Sequence, residues 1–366
     1  MVVLISGRKS AGDLDALDLF SRMDVPATGA ATTVPSPERR ESFHQKLNAV
    51  LDQSLSNPSR LHGWRVQGLF EAMIVSLGTV RMIKEEDAGR YFFHAGDEVR
   101  PADFRIITAA GEHLLVEVKG VNPSNMTKPQ RVRNQDLDPL LRYAELTGAR
   151  LLFAPYWSAI NLWSLVDASA LTRLDERRRV LNFESAMMAN ELGLVGDAQI
   201  GTEPPLTFSV IADPAGQEHD DRGAQTEIRF RVGAVELASA GRVLTDPQQQ
   251  KIAWFLMLHG QWPPTEQPVI EDGRLVRINQ VFRPVVPDDE ELAEAISDQG
   301  FALVGSLSSM YSNAYNDVTL TEDGEIRALR HEPDPGALAS LVPSDYWDNR
   351  ENDALPIWKL TQDPGR

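Results

Sequence analysis

Apolar side chains along the chain recur first at helical spacing and then at every second position, and the change outlines an α/β region. Leu14, Leu17 and Phe20 predict a short helix over 11–23. Residues 25–37 have linker composition, rich in Pro, Ala and Thr. A helix is expected to begin near Pro37, with Ser36 as N-cap and Phe43, Leu47, Val50 and Leu51 along its apolar face. Another is expected over 68–82. The period then shortens to two. Residues 91–93, 104–108 and 114–118 read as strands, the last two joined as a hairpin through Ala109-Ala110-Gly111-Glu112. Leu137, Leu140, Leu141 and Ala144 predict a helix over 136–147, closed by Gly148 as its C-terminal cap. The apolar run 150–154 has the character of a buried strand, 160–165 reads as one more strand, and 185–192 as a helix. Together these elements make an α/β domain over about 38–195.

The remainder is less regular. Residues 203–225 are polar, with Pro204-Pro205 and the run Glu218-His219-Asp220-Asp221, and read as a linker. A strand over 227–232, a helix over 247–258, a strand over 274–278 and an acidic-faced helix over 288–297 follow. Beyond Ala328 the chain is rich in Pro, Asp and Gly and is expected to pack loosely. The resulting division is a flexible segment 1–36, an α/β domain 37–200, a linker 201–225 and an α+β accessory domain 226–366.

Charge sharpens that division. The 366 residues, enough for two domains, carry a net charge of −17. Residues 1–200 hold 23 Lys/Arg against 25 Asp/Glu, whereas 201–366 hold 13 against 28. The acidity therefore lies in the accessory part, and the first domain can still approach phosphate. The accessory part would repel a polyanion, and it suits docking of a protein partner or of a second copy. The absence of cysteine excludes disulfides, thiolate zinc sites and cysteine catalysis. The longest apolar stretch, 252–258, falls far short of the ~20 residues of a membrane span. The N-terminal apolar run precedes Arg8 and Lys9, the wrong order for a signal peptide, so no membrane association and a cytoplasmic location are expected.

The segment that carries chemistry is Pro101-Ala-Asp103-Phe-Arg-Ile-Ile followed by Leu114-Leu-Val-Glu117-Val-Lys119-Gly120. Strand side chains alternate, so Glu117 and Lys119 share one face. A hairpin partner can set Asp103 beside Glu117. Two carboxylates and an ammonium then converge at the edge of an apolar sheet, where burial is costly unless something pairs with them. A hard divalent cation suits such a pair: Mg²⁺ takes one or two carboxylates plus waters and phosphate oxygens. It would polarise a scissile phosphate and lower the pKa of a bound water. Lys119 could orient or deprotonate that water, or neutralise charge in the transition state.

This arrangement resembles the PD-(D/E)xK, or restriction-endonuclease-like, nuclease superfamily over about residues 60–165. The resemblance implies a mixed sheet flanked by helices, followed here by the acidic α+β accessory domain. It places Asp103 and Glu117 as metal ligands and Lys119 as the catalytic lysine. Pro101 lies two residues before Asp103 rather than next to it. The family often adds a glutamate from the helix before the sheet, and Glu71, the one charge in 69–77, fits as a further ligand. The helix after the motif commonly meets nucleic acid, which implies roles for Lys128, Arg131, Arg133, Gln135 and Arg142, with Tyr143 beside them. The implied activity is Mg²⁺-dependent phosphodiester hydrolysis, with Mn²⁺ able to substitute and DNA the favoured substrate. Host defence or mobile-element biology is the setting the family suggests. The rivals are a nuclease-like fold kept as a non-catalytic binding or assembly subunit, and a nuclease acting on RNA. Asp97 and Glu98 are weaker substitutes for Asp103, the run Asp175–Arg179 reads as a solvated helix face, and the hydroxyl-rich segment 305–311 as a binding loop without a distinguished residue.

Overall fold

The structure is a computed structural model describing residues 13–23, 36–86, 91–93, 96–222, 225–285, 299–343, 346 and 354–362. Helix α1 (Asp13–Met23) meets α2 (Pro37–Leu55) through an edge-on contact of Phe20 and Phe43, with ring centroids 5.2 Å apart. The remaining residues of the expected flexible segment 1–36 lie, apart from Ser36, outside the described residues. Ser36 caps α2 as expected, accepting from the Arg39 amide. The apolar stripe of α2 does not join the core: Val50 and Leu51 are about half exposed. Helix α3 (Pro58–Leu77) begins ten residues before the expected start, because Asn57 caps it and Pro58 occupies its first turn. It ends at Gly78, whose φ of 66° suits glycine, so the expected extension to 82 is replaced by strand β1 (Met82–Glu85). Residues 91–93 are not a strand. Tyr91 stacks on Phe93 and donates to the Val99 carbonyl instead of entering a ladder.

The central sheet is built from β1, β2 (Phe104–Ile107), β3 (His113–Val121), β5 (Arg150–Trp157), β6 (Leu162–Trp163) and β7 (Val166–Asp167). Its order is β1-β2-β3-β5-β6, with β7 also on β5. Only β3 and β5 run parallel, because helix α4 (Asn134–Thr147) carries the chain back between them. Gly148 closes α4 at φ 63°, as its position predicts. Between β3 and α4 lies β4 (Gln130–Arg133), which pairs outside this sheet with β9 (Arg178–Leu181), itself paired with β8 (Thr172–Arg173).

Two apolar layers cover the central sheet. Leu114, Val116 and Val118 of β3 and Leu152, Ala154 and Tyr156 of β5 pack with Leu69, Phe70 and Met73 of α3. On the other face, Leu115 and Val121 of β3 and Leu151, Phe153 and Trp157 of β5 pack with Leu137, Leu140 and Ala144 of α4. Both strands are thus buried on both sides, which explains their near-continuous apolar sequence. The result is a mixed α/β architecture with helices on both faces.

Helix α5 (Phe183–Met188) leads to β10 (Gln199–Thr202). The expected linker 201–225 is not a linker. It holds β11 (Leu206–Arg222), which forms a long hairpin with β12 (Gln225–Ser239). This antiparallel sheet, ordered β13-β12-β11-β15-β14, also contains β13 (Arg242–Val243), β14 (Pro264–Glu271) and β15 (Arg274–Phe282). Such a sheet can leave one face in water, so its polar residues imitate a loop in the sequence. Asp272 and Gly273, at φ 49° and 75°, make the tight turn between β14 and β15. Helix α6 (Pro247–His259) matches expectation, although Trp254 and Leu258 stay substantially exposed. The helix expected over 288–297 falls outside the described residues.

The last elements are β16 (Ala302–Ser306), α7 (Leu307–Thr319), α8 (Ala337–Leu341) and β17 (Ile357–Leu360). They are not loosely packed: Leu338, Leu341, Leu355 and Ile357 are buried. β16 and β17 flank β10, and α6, α7 and α8 contribute Leu256, Met310 and Leu338 to the same cluster as α3. The core therefore crosses the boundary expected at residue 200. The hydroxyls of 305–311 turn inward. Ser306 caps α7, Ser308 donates its amide and its hydroxyl (2.6 Å) to Asp197, and Ser312 accepts from Trp163 at 3.0 Å. Burial pushes the Asp197 carboxyl up, against the Ser308 bonds. Among the described residues no helix is long and apolar enough to cross a membrane.

Met310 sits wholly inside this shared cluster. Met310→Ala should therefore destabilise the whole chain by about 2–5 kcal/mol. Urea unfolding followed by near-ultraviolet dichroism and by fluorescence should show one coincident transition shifted to lower urea. Two separated transitions, only one of them shifted, would show that the halves fold independently.

Candidate functional site

β2 and β3 part at one point, and the sequence motif sits there. Their ladder ends with Phe104 opposite Val116, while β3 continues to Val121 along β5 alone. Phe104 packs on the α3 side and Ala102 on the α4 side, so the backbone turns at Asp103 between them. Asp103 Oδ2 accepts the Val118 amide at 2.7 Å, replacing the carbonyl that a continuing strand would have supplied. Asp103 Oδ1 accepts Gln67 Nε2 from α3, also at 2.7 Å.

Glu117 lies on the α4 face of β3, between Leu115 and Lys119, and is only 6% exposed. A buried carboxylate needs compensation, and two cations supply it. Lys119 Nζ lies 2.7 Å from Glu117 Oε1, and Arg100 Nη2 approaches the same oxygen at 3.7 Å. Both cations remain close to half exposed. Arg100 is also anchored to the start of α4, where its Nη2 donates to the Asp136 carbonyl at 3.0 Å. Gly120 explains the glycine after the lysine: a Cβ there would stand 2.8 Å from His62 Nε2 of α3. A side chain at this position would require the His62 ring to shift.

Extending the β1–β2 register by one position sets Glu86 opposite Asp103, and the Glu86 amide bonds the Asp103 carbonyl at 2.9 Å. Glu86 is held by Arg105 (2.9 Å) and by the Tyr143 hydroxyl. Burial pushes the Glu86 carboxyl up, but the bonds from Arg105 and Tyr143 outweigh burial and hold it below its ordinary value. The Tyr143 hydroxyl is pushed up by its own burial and by Glu86.

The other expected residues are distributed differently. Glu71 lies on α3, which covers the face opposite Glu117, and it pairs with Arg330 at 3.3 Å. Arg330 also holds Glu85 at 2.8 Å and lies over the Trp64 ring. The α3 residue that reaches Asp103 is Gln67, one helical turn before Glu71. Lys128 is exposed in the turn before β4, with its Nζ near Asn125 Oδ1 at 3.2 Å. Arg131 and Arg133 project from β4 rather than from a helix. The segment Gln130-Arg-Val-Arg alternates with period two and finds a partner in 178–181. Gln135 lies exposed on α4, and Arg142 of the same helix is half-buried and donates to the Glu98 carbonyl at 2.6 Å. Asp97 and Glu98 are exposed. Three residues escape the sequence pattern. Gln67 carries a weak signal, a polar residue on the buried stretch of α3, whereas Arg100 and Glu86 carry none before strand register is known.

Asp103 and Glu117 are hard oxygen donors on either side of the Val118 peptide. That donor chemistry fits one Mg²⁺ or Mn²⁺. Among the described residues no group of three or more His, Asp or Glu side chains is disposed to hold a metal, so Glu71 does not complete a three-carboxylate cage.

No protein-family model matches the chain, and no curated protein matches it. Among solved structures it is similar to Hjc, a Holliday junction resolvase from the archaeal hyperthermophile Archaeoglobus fulgidus. The identity is 15%, over 37% of this chain and 96% of that one, with a TM-score of 0.28. A match of that size defines neither the fold nor the function of this chain.

Because the folded Glu86 carboxyl titrates below its ordinary 4.5, its bonds stabilise the fold above about pH 4.5. That contribution is lost as the pH falls through the lowered folded value. Glu86→Gln should thus lower Tm at pH 7, and the gap from wild type should close as the pH falls below 4.5. A gap that stays constant down to pH 3 would show that ionised Glu86 is not what Arg105 and Tyr143 hold.

Proposed function

We propose that the chain is a divalent-metal-dependent nuclease that hydrolyses phosphodiester bonds, with DNA as its substrate. The observation that carries this reading is the edge of β3. Glu117 and Lys119 stand in contact on one face, and Asp103 is locked across the intervening Val118 peptide where β2 departs. Host defence or mobile-element biology is the setting proposed for the activity, on the resemblance alone.

Asp103 and Glu117 would hold a Mg²⁺ or Mn²⁺ ion. That ion supplies, when bound, Lewis-acid polarisation of a phosphate oxygen and a more acidic water. The chain's own residues do the rest. Gln67 and the Val118 amide fix the Asp103 carboxylate, so its orientation does not depend on the ligand. The Lys119 ammonium, in contact with Glu117, would orient the attacking water or balance charge on the pentacoordinate phosphorus of the transition state. Arg100 supplies a second positive charge at the same edge. Glu71 keeps its bond to Arg330 and takes no part as a ligand.

The purified chain should nick supercoiled plasmid with Mg²⁺ or Mn²⁺ and be silent with EDTA. Lys119→Ala, which leaves no core cavity, should lower cleavage by about 10²-fold or more. Glu117→Gln should lower both cleavage and calorimetric Mn²⁺ affinity. Cleavage at the parental rate by Lys119→Ala, or metal affinity untouched by Glu117→Gln, would remove these residues from the site.

A further inference from the structure

Two basic segments forty residues apart in sequence meet in the small sheet β4-β9-β8. Its register sets Arg131 opposite Val180 and Arg133 opposite Arg178. Residues directly opposite in an antiparallel pair share a face, so Arg131, Arg133 and Arg178 project together. On the other face Leu181 and Val132 join the α4-side core. The face with Arg131, Arg133 and Arg178 is cationic, whereas Arg173 and Arg179, opposite each other and in the same row as Val132, lie on the face that carries the apolar residues. The sheet's segments, 128–133 and 172–181, hold seven Lys/Arg against two Asp/Glu, in a chain whose net charge is −17. One of the two acids works internally. Asp175 accepts the Arg177 amide at 2.8 Å and pairs with Arg178 at 2.6 Å, which shapes the hairpin turn. Arg131, Arg173 and Arg177 stay exposed, and none has a carboxylate partner among the described residues. The run read from sequence as a solvated helix face is therefore a hairpin beside β4.

The distribution of charge specifies the ligand. Cations set roughly 5 Å apart across strands and 7 Å apart along them do not converge on a small anion; they track an extended one. Neither segment contains Phe, Tyr or Trp, so the sheet has no platform for stacking unpaired bases. A duplex, whose phosphates face outward and whose bases are already stacked, matches this surface. The groove between β4 and the hairpin turn, about 820 Å³ and lined by Arg133, Arg177 and Arg178 with Gln135, Asp175 and Glu176, is open to solvent. It also adjoins the cleavage site. Arg133 pairs with Asp136 at 2.7 Å, the Asp136 carbonyl accepts Arg100, and Arg100 faces Glu117.

We propose that the β4-β9-β8 sheet is a docking surface for the sugar–phosphate backbone of duplex DNA, outside the catalytic edge. The identity of the polyanion rests on the nuclease reading, but binding is measured without cleavage. The experiment uses the full chain in EDTA and a fluorescein-labelled 20-base-pair duplex, with anisotropy read from 50 to 300 mM NaCl. The triple variant Arg131→Gln, Arg133→Gln, Arg177→Gln should weaken binding about 10-fold or more at 50 mM. It should also flatten the slope of log K against log salt by roughly 2 to 3, at about 0.9 for each phosphate that is no longer neutralised. The matching triple lysine variant keeps the charge and should retain affinity, which separates loss of charge from loss of fold. Unchanged affinity and slope in the glutamine variant would overturn the proposal even if plasmid cleavage is confirmed. So would loss of polyglutamate binding with duplex binding intact, which would mark the sheet as a site for an acidic protein. Salt-dependent duplex binding that the glutamine variant loses would uphold it, even if the chain proves unable to cleave.

Discussion

A strand covered on both faces leaves a charged side chain only one way out, along the direction in which a neighbouring strand has departed. β3 is such a strand, and the site exists because β2 leaves it at Phe104. Past that point Glu117 remains buried while Lys119 and Gly120 emerge. The Val118 amide, stripped of its strand partner, is taken up by Asp103. One carboxylate thus completes the backbone ladder and the next carries the local negative charge. Neither can be moved to a neighbouring position without stranding a buried amide or burying Lys119, because alternation sends every second side chain into the opposite core.

The electrostatics follow from that arrangement. Glu117 takes its compensation from Lys119 on the same strand and from Arg100, which is held in turn by the start of α4. The adjoining Glu86–Arg105–Tyr143 cluster balances itself. On the opposite face Arg330 draws in Glu71 and Glu85 together. Acidic and basic groups are thus sorted locally in a strongly acidic chain, and the sheet β4-β9-β8 stands out because its positive charge is only partly matched.

The C-terminal residues are part of this frame and not an appendage to it. Arg65 of α3 is buried and donates to Thr319 at the end of α7, and Asn161 beside β6 bonds Asn313 of α7 at 2.6 Å. Desolvation by burial lowers the Arg65 pKa, opposed by Tyr156 and Tyr315. A helix so pinned from behind presents Gln67 to Asp103 at a fixed depth.

Much of this is legible in the sequence. Alternation over 114–118 determines which residues share a face, and so pairs Glu117 with Lys119. Capping residues place the start of α2 and the end of α4, because a cap acts within one turn of chain. What escapes are relations between segments distant in sequence. Gln67 in place of Glu71, Arg100 at Glu117 and Glu86 beside Asp103 all depend on strand register and helix rotation, which local pattern does not contain. The segment 128–133 reads as part of a helix that meets nucleic acid and the run 175–179 as a solvated helix face, and only their pairing as strands makes one surface. The polar strand β11 reads as a linker for the same reason: one side of an antiparallel sheet can face water, so only its partners β12 and β15 reveal it as a strand.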